Sequence, residues 1–474
     1  MSEVIKEKCA VAGVSSHDGE QAAPKMYEML FALQHRGVEA TGIASSDGVE
    51  THHHVRPGMV RDVYSENSIK DLIGNVAIGH NRYTTNGNEA KYAQPFVDDY
   101  IGFSFAHNGN LPDTSKLESF LRDRNFATAQ MNDSQMMAAA LSHFIRSGND
   151  LPASIEQAYP LFEGSFSCVA MHDGVVAAFR DECGIRPMAI GQTDTGDIVA
   201  SETCALDIIG ADYLREVEPG EMVLFDGENI TAKQIARSDP KLDMFELVYF
   251  ARHDSYLYGQ SVNEVRRRFG EQMAKEHPPA SDDIENTLVV PVPDTSVPAA
   301  EGYADTLGLK HRQAIIKNRF IGRSFMQPSD NERQSQLKRK HNMIEEAVQG
   351  KDIVLIDDSI VRLNTLPRLV RLAKQAGARS VQVLIASPPV RFPDYYGIDT
   401  PSQSELAAAH MTIEEIRQQA RADYLGYLSL SGMVAASGVS HDRFNLSCFN
   451  GEYPIDIGKR QQEIRPPVSR EGLE

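Results

Sequence analysis

Cys9 opens the apolar run CAVAGVSS near the start of the chain. A lone thiol in that place has two readings. It is either a small buried strand residue, where free cysteines usually sit, or a nucleophile for acyl transfer, which needs a base, an oxyanion site and a substrate grip nearby. Far downstream, KDIVLIDDS ends an apolar stretch with two adjacent carboxylates, Asp357 and Asp358, and a polar turn leading into a helical segment. In an open α/β sheet, ligands sit at the carboxyl ends of strands, and a helix N-terminus beyond favours phosphate. Paired acids there accept hydrogen bonds from sugar hydroxyls and suit a hydrated Mg²⁺. The alternative is a solvated turn with a helix-capping Asp. A third cluster, KNRFIGR from Lys317 to Arg323, with Lys338 and Lys340 after it, is either a solvated basic face or an anion site.

The elements that must position these groups change character along the chain. From Cys9 to about Asp243, short β-type runs dominate: CAVAGVSS, NVAIGHNRYTT, YIGFSFAHNGNL, SFSCVAMHD, VVAAFRD and EMVLFD. Helical spacing marks Ala22 to Gln34 and Ser134 to Ile145. This pattern predicts stacked, largely antiparallel sheets flanked by helices. From about Asn286, the strand-like runs TLVVPVPD, KHRQAIIKN, KDIVLIDDS and SVQVLIAS alternate with helical segments such as Thr365 to Ala376, as in a parallel, doubly covered sheet. Phe245 to Lys275 reads as the joint. Ser402 to Glu405 and Thr412 to Glu415 match the capping-box pattern and predict short helices.

Composition narrows the function classes. The chain has 474 residues, enough for two cores. Its 47 basic and 66 acidic residues give a formal charge of -19, which disfavours general affinity for nucleic acid or anionic membranes. Five scattered cysteines without a CxxC pair argue against a disulfide framework or structural zinc. No apolar run has the length of a membrane span, and the first eight residues lack the apolar core of a secretory signal. A cytoplasmic protein is expected.

LQHRGVEATGI (Leu33 to Ile43), GHNRYTTNG (Gly79 to Gly87), FAHNGNL (Phe105 to Leu111) and NDSQ (Asn132 to Gln135) closely resemble the glutaminase half of the N-terminal-nucleophile glutamine amidotransferases. They come in that family's order. The resemblance implies removal of a propeptide, residues 1–8, leaving Cys9 with a free α-amine. Such an amine titrates at about 7.7–8.0 and serves as general base. It further implies an oxyanion hole from the Asn108 side chain and the Gly109 N–H. Arg82 is then expected on the glutamine carboxylate, Asp133 on its α-ammonium and Thr85 in the pocket. Read alone, Arg82 fits a surface ion pair, Asn108-Gly109 a type I′ turn, and Asp133 a helix N-cap ahead of Ser134. His35 and His107 are expected to be structural. The family's Cys-Gly start is Cys9-Ala10 here.

The run from Lys351 to Arg362 resembles the phosphoribosyl-diphosphate (PRPP) fingerprint of type I phosphoribosyltransferases. VPVPDTS, from Val290 to Ser296, resembles that family's pyrophosphate loop, and the Lys317 cluster its mobile loop. The implied PRPP-binding residues are Asp357, Asp358, Ser359, Thr365, Lys317, Arg319, Lys338 and Lys340, with Mg²⁺ at Ser296, Asp357 and Asp358. Both halves in this order resemble the amidophosphoribosyltransferase family, as do FELVYFARHDS (Phe245 to Ser255), RFPDYYGIDTPS (Arg391 to Ser402) and CFNGEYP (Cys448 to Pro454). The fold implied is a two-domain chain of mixed α/β and α+β type. Residues 9–243 form an αββα glutaminase sandwich, residues 244–460 a phosphoribosyltransferase domain with a parallel sheet, and residues 461–474 a flexible tail. The reaction implied is synthesis of 5-phosphoribosylamine from glutamine and PRPP, committing PRPP to purine synthesis, with ammonia passing inside the protein. Purine nucleotide inhibitors and a homo-oligomer are further expectations.

Some members hold an iron–sulfur cluster on four cysteines. The matching positions are Asp243, Asp394, Asn445 and Cys448, so no cluster is expected. The family fingerprint continues Arg-Gly-Thr-Thr, whereas this chain has Arg362-Leu363-Asn364-Thr365. Leucine adds bulk where the 5′-phosphate should sit, or must turn away from it. Two alternatives therefore stand beside the full enzyme: a diverged relative with a different or lost acceptor site, and a non-catalytic regulatory paralogue.

Overall fold

The computed structural model describes residues 6–7, 9–17, 19–83, 90–227, 229–317, 341–399, 402–469 and 471. In the first half two sheets stack between two helical layers. One sheet has seven strands in the spatial order Asp212–Glu216, Ala189–Thr193, Gly196–Ala200, Ala10–Ser16, Val76–Arg82, Ala40–Ser46, Thr51–Pro57. The other has six: Ile230–Gln234, Glu221–Phe225, Val175–Arg180, Ser165–His172, Phe103–Asn110, Phe96–Asp98. Every pairing within the two sheets is antiparallel.

Alternate strand residues face opposite sides. Val11 joins Ile78, Ala106, Val169 and Val223 between the sheets. Ala10, Ala12 and Val14 meet Met26, Met29 and Leu30 of the helix Ala22–Ala32. On the opposite face of the sandwich, Phe103 and Phe105 pack against Met136, Met137 and Leu141 of the helix Asp133–Arg146. Both faces of the central strands are thus covered, which is why Ala10–Ser16 is buried throughout rather than alternating with polar residues.

Two local expectations change. Asn132, not Asp133, caps the helix. Its side chain accepts the Gln135 N–H at 2.9 Å while Gln135 accepts the Asn132 N–H at 3.2 Å, a reciprocal capping box. Asp133 is the first helical residue instead. Asn108 and Gly109 are not a turn but lie within a strand, opposite Ser167 and Phe166.

The second half is built on five parallel strands in the order Lys310–His311, Thr287–Pro291, Asp352–Asp357, Ser380–Ile385, Tyr424–Tyr427. Numbered by sequence that is 2-1-3-4-5, so the order reverses between the first and third strands. The helices Val262–Glu276 and Val297–Leu307 cover one face and Leu366–Gln375 and Ile413–Ala420 the other, each face with its own apolar core. The stretch read as a joint therefore belongs to this domain's core, with Phe245, Val265 and Phe269 packed beneath the sheet. KHRQAIIKN divides: Lys310–His311 takes the sheet edge, and Ile315–Lys317 pairs outside the sheet with His341–Met343.

Thr412 and Glu415 form the expected capping box, but Gln403–Glu405 is a 3₁₀ turn without a side-chain cap. Of residues 461–474, expected as a flexible tail, the described stretch 461–469 is tied to this domain. The Val468 N–H bonds the Ala409 carbonyl at 3.1 Å, and Arg465 and Gln403 exchange main-chain and side-chain bonds.

Candidate functional site

The register Ala10↔Asn81 sets Cys9 beside the strand end that carries Arg82. Cys9 is 8% exposed and holds a left-handed backbone, φ 78°. Ala10, where the family has glycine, is an ordinary strand residue whose methyl enters the core, so the substitution strains nothing. The loop before Gly37 lies directly on this strand end. A Cβ on Gly37 would stand 2.6 Å from the Asn81 carbonyl carbon and 2.7 Å from the Arg82 nitrogen, so only glycine fits.

Across the sandwich, Asn108 is fully buried with neither oxygen nor nitrogen of its carboxamide engaged among the described residues. A buried amide without partners costs about 1–3 kcal/mol; one held that way is suited to receive a developing oxyanion. Gly109 follows it because a Cβ would meet the Ser165 carbonyl oxygen at 2.1 Å. The Arg82 guanidinium stands over the Tyr92 ring at 5.3 Å, with a buried Nη1 that has no acceptor among the described residues. Asp133 accepts the Leu111 N–H at 3.2 Å, which fixes its carboxylate beside the end of the Asn108 strand. Thr85 lies outside the described residues.

Between these groups, His80 is fully buried. Burial first, then the nearby Arg82 and His107, push its pKa down to about 3, so it stays neutral. His107 bonds Ser134 Oγ at 2.9 Å and His35 bonds Glu202 at 2.7 Å.

The second site lies at the reversal point of the parallel sheet. Pro291↔Ile356 pairing, continued by the Val292 N–H to the Ile356 carbonyl at 2.8 Å, sets the loop Val292 to Ser296 against the Asp357-Asp358 turn. Thr295 donates to Asp358, which also accepts from Ser359 Oγ at 2.7 Å. Burial pushes the Asp358 pKa up, opposed by those hydrogen bonds and by the nearby Arg266 and Lys317. Lys317 pairs with Asp294 at 3.0 Å.

Ser296, expected as a magnesium ligand, is 1% exposed, and its hydroxyl is turned to the Val292 and Ile356 carbonyls at 2.5 and 2.9 Å. That is a bracing position between two strand ends. Arg319, Lys338 and Lys340 lie outside the described residues.

Beyond Asp358, the main-chain N–H groups of residues 359–363 find no acceptor among the described residues. Thr365 begins the helix Leu366–Gln375. A run of unengaged N–H groups entering a helix N-terminus is an anion cradle. Leu363 does not block it. Its backbone is left-handed, φ 58°, as glycine would be, and its side chain turns inward among Ile360, Leu366 and Leu369, 4% exposed.

Sequence reading missed three contributors. His253 bonds the Asp294 carbonyl at 3.1 Å and Arg266 at 3.0 Å, so the RHD stretch of the supposed joint reaches the second site. The third is a shared wall. A Cβ on Gly397 would stand 3.2 Å from the Gly109 Cα, and Asn110 donates to the Tyr395 carbonyl at 2.8 Å. In the sequence the RFPDYYGID stretch carries a family resemblance and no chemistry of its own.

The four positions matched to cluster cysteines do converge. Asp243 pairs with Asn445 in strand register, and Asp394 and Cys448 interact electrostatically with Asp243. Three of the four side chains accept hydrogen bonds from the protein. Asp243 accepts from Arg186 at 3.0 Å, Asp394 from the Tyr396 and Ile398 N–H groups, and Asn445 from the Ser447 N–H.

Residues 80–207 match the glutamine amidotransferase domain family. The chain is 40% identical over 466 residues to an amidophosphoribosyltransferase of Mycobacterium leprae, covering 95% of this chain and 83% of that one. It is 40% identical over 462 residues to that of Synechocystis, covering 95% and 92%. A solved glutamine PRPP amidotransferase from B. subtilis, complexed with ADP and GMP, superimposes with TM-score 0.86 at 35% identity, covering 95% of this chain and 98% of that one. A solved allosteric regulatory enzyme of purine biosynthesis gives TM-score 0.88 at 35% identity, covering 96% and 97%.

Proposed function

The chain belongs to the amidophosphoribosyltransferase family and is a glutamine-dependent phosphoribosyltransferase of purine biosynthesis, and from that premise we propose how its residues divide the work. With residues 1–8 removed, the Cys9 α-amine takes the thiol proton and Sγ attacks the glutamine side-chain amide. The Asn108 amide N–H and the Gly109 N–H hold the tetrahedral oxyanion. Collapse expels ammonia, and water then hydrolyses the thioester to glutamate. Arg82 holds the glutamine carboxylate, Asp133 its ammonium, and Thr85 completes the pocket.

At the second site, the N–H groups of residues 359–363 with Ser359 and Thr365 take the PRPP 5′-phosphate, and Asp357 and Asp358 the ribose hydroxyls. The 292–296 loop, Lys317, and with it Arg319, Lys338 and Lys340, receive the pyrophosphate. Ammonia displaces pyrophosphate at the anomeric carbon, a step governed mainly by positioning. The oxygen donors Asp357 and Asp358 fit Mg²⁺, which when bound neutralises the leaving pyrophosphate; Ser296 braces the loop beneath it. One thiol among two carboxylates and a carboxamide does not suit an iron–sulfur cluster.

The shared wall carries this reading. Gly397 of the second domain lies on Gly109 of the first, so ammonia is released where the two halves meet. Purine nucleotides are proposed as inhibitors on the strength of the B. subtilis complex with ADP and GMP. The protein is proposed to be cytoplasmic and oligomeric; no helix among the described residues is long and apolar enough to cross a membrane. The test is glutamate release from glutamine, with and without PRPP and Mg²⁺, on protein whose mass shows loss of residues 1–8. PRPP should stimulate it and Cys9→Ala should abolish it; release indifferent to PRPP would refute the coupled assignment.

A further inference from the structure

Between the two sites lies buried charge that neither reaction uses. The side chains of Arg36, Arg186, Glu202 and Glu246 are fully buried. Arg36 grips Glu246 with both terminal nitrogens, at 2.6 and 3.2 Å, and turns its Nε to Glu202. Arg186 pairs with the same Glu246 at 2.8 Å and with Asp243 at 3.0 Å.

Each arginine is next to a glycine that packs against a strand of the proposed glutamine site. Arg36 precedes Gly37, which lies on the Arg82 backbone, and the Arg186 stem abuts Gly397, which lies on Gly109. Glu246 itself opens a single π turn, Glu246–Phe250, a geometry frequent at functional sites. Arg266 holds that turn from the other side, donating to the Leu247 carbonyl at 2.7 Å and to the Ala251 carbonyl at 2.9 Å. Arg266 continues through His253 to Asp294 in the pyrophosphate loop, and Asp294 to Lys317. Desolvating this many charges is expensive, and hydrophobic packing would serve cohesion as well. A network of this kind earns its place by fixing geometry.

We propose that Glu246 is a positioning residue joining the two sites, so that occupancy of the pyrophosphate loop is felt at Arg82 and Gly109. Displacement of Asp294 and Lys317 by a ligand reseats His253 and Arg266, hence the π turn. Glu246 then carries Arg36 and Arg186 with it. The proposal rests on the roles assigned above to Arg82 and to the 292–296 loop.

Glu246→Gln keeps the shape and removes the charge that two arginines share. Three rates are measured on the processed full chain: glutamate release without PRPP, the same with PRPP and Mg²⁺, and pyrophosphate release from PRPP with ammonium chloride replacing glutamine. The first and third should stay within about twofold of the parent. The ratio of the second to the first should fall at least about fivefold, the low end of coupling between sites. Arg36→Lys, which keeps charge but not the fork, should lose the ratio likewise, and Glu246→Asp should restore part of it. If Glu246→Gln lowers all three rates together, or leaves the ratio intact, Glu246 is only structural and the proposal is overturned. If that variant does not fold, Arg36→Lys and His253→Gln decide by the same ratio. A parent that releases no pyrophosphate with ammonium overturns instead the functional reading beneath it, and the proposal with it.

Discussion

Leu363 stands where the family fingerprint has glycine, and its replacement separates two energies that the structure sets against each other. The residue is 4% exposed and holds φ 58°. Leu363→Ala empties its place in the core, a loss of about 2–5 kcal/mol. It also keeps a Cβ in the left-handed region, which costs roughly 1–2 kcal/mol for a non-glycine residue. Leu363→Gly empties the same place but releases that strain, offset by the greater freedom of glycine in the unfolded chain, about 0.5–1 kcal/mol. Where φ is positive the balance favours glycine. The glycine variant should therefore be the more stable of the two by about 1 kcal/mol, although both fall below the parent. For a domain of this size that is a difference of about 2–4 °C in Tm, read by thermal unfolding of the variants at one scan rate. Because the leucine side chain points away from the phosphate cradle, PRPP affinity in Leu363→Gly should stay within about threefold of the parent, well short of the tenfold that 1.4 kcal/mol represents. An alanine variant as stable as the glycine variant, or a tenfold tightening of PRPP in the glycine variant, would refute this account of the loop.

Asn108→Ala should lower kcat for glutamate release about 10²–10³-fold with little change in KM, since the amide acts on the oxyanion rather than on bound glutamine. Arg82→Lys should do the reverse, raising KM for glutamine, because one point charge replaces a two-pronged grip. His80, driven to about pKa 3 by burial, binds fewer protons folded than unfolded between that value and about 6.5. Its contribution to stability is complete above pH 6.5 or so and is lost as pH falls towards 3; from pH 7 to 5 the loss is about 2 kcal/mol. Urea midpoints at those two pH values should show that loss in the parent and not in His80→Gln. Chelation of divalent cations should abolish pyrophosphate release and PRPP stimulation while sparing PRPP-independent glutamate release.

Local chemistry was legible wherever it is written in contiguous residues. Apolar runs bounded by Gly, Asn or Asp gave the strands at Ala10–Ser16, Val76–Arg82 and Asp352–Asp357, and helical spacing gave Ala22–Ala32 and Asp133–Arg146. The strands Ala40–Ser46 and Thr51–Pro57 are not legible in the sequence. The first is small and fully buried, while the second, THHHVRP, is a polar edge strand paired on one side. Neither carries an apolar alternation that a sequence can display.

The sequence by itself determined the kind of chemistry: a thiol near one end, two carboxylates closing a parallel strand, and the order of motifs that tied both to one family. Tertiary structure alone decided where those groups face and what lies between them. Gly397 against Gly109 and the Arg36–Glu246–Arg186 cluster join residues far apart in the chain, while the inward turn of Leu363 and the unengaged amide of Asn108 are set by packing within one domain. Side-chain direction at a left-handed residue depends on which core it meets, and burial of a charge depends on partners hundreds of residues away. A linear pattern holds neither quantity, because both arise only once the chain has packed into its tertiary structure.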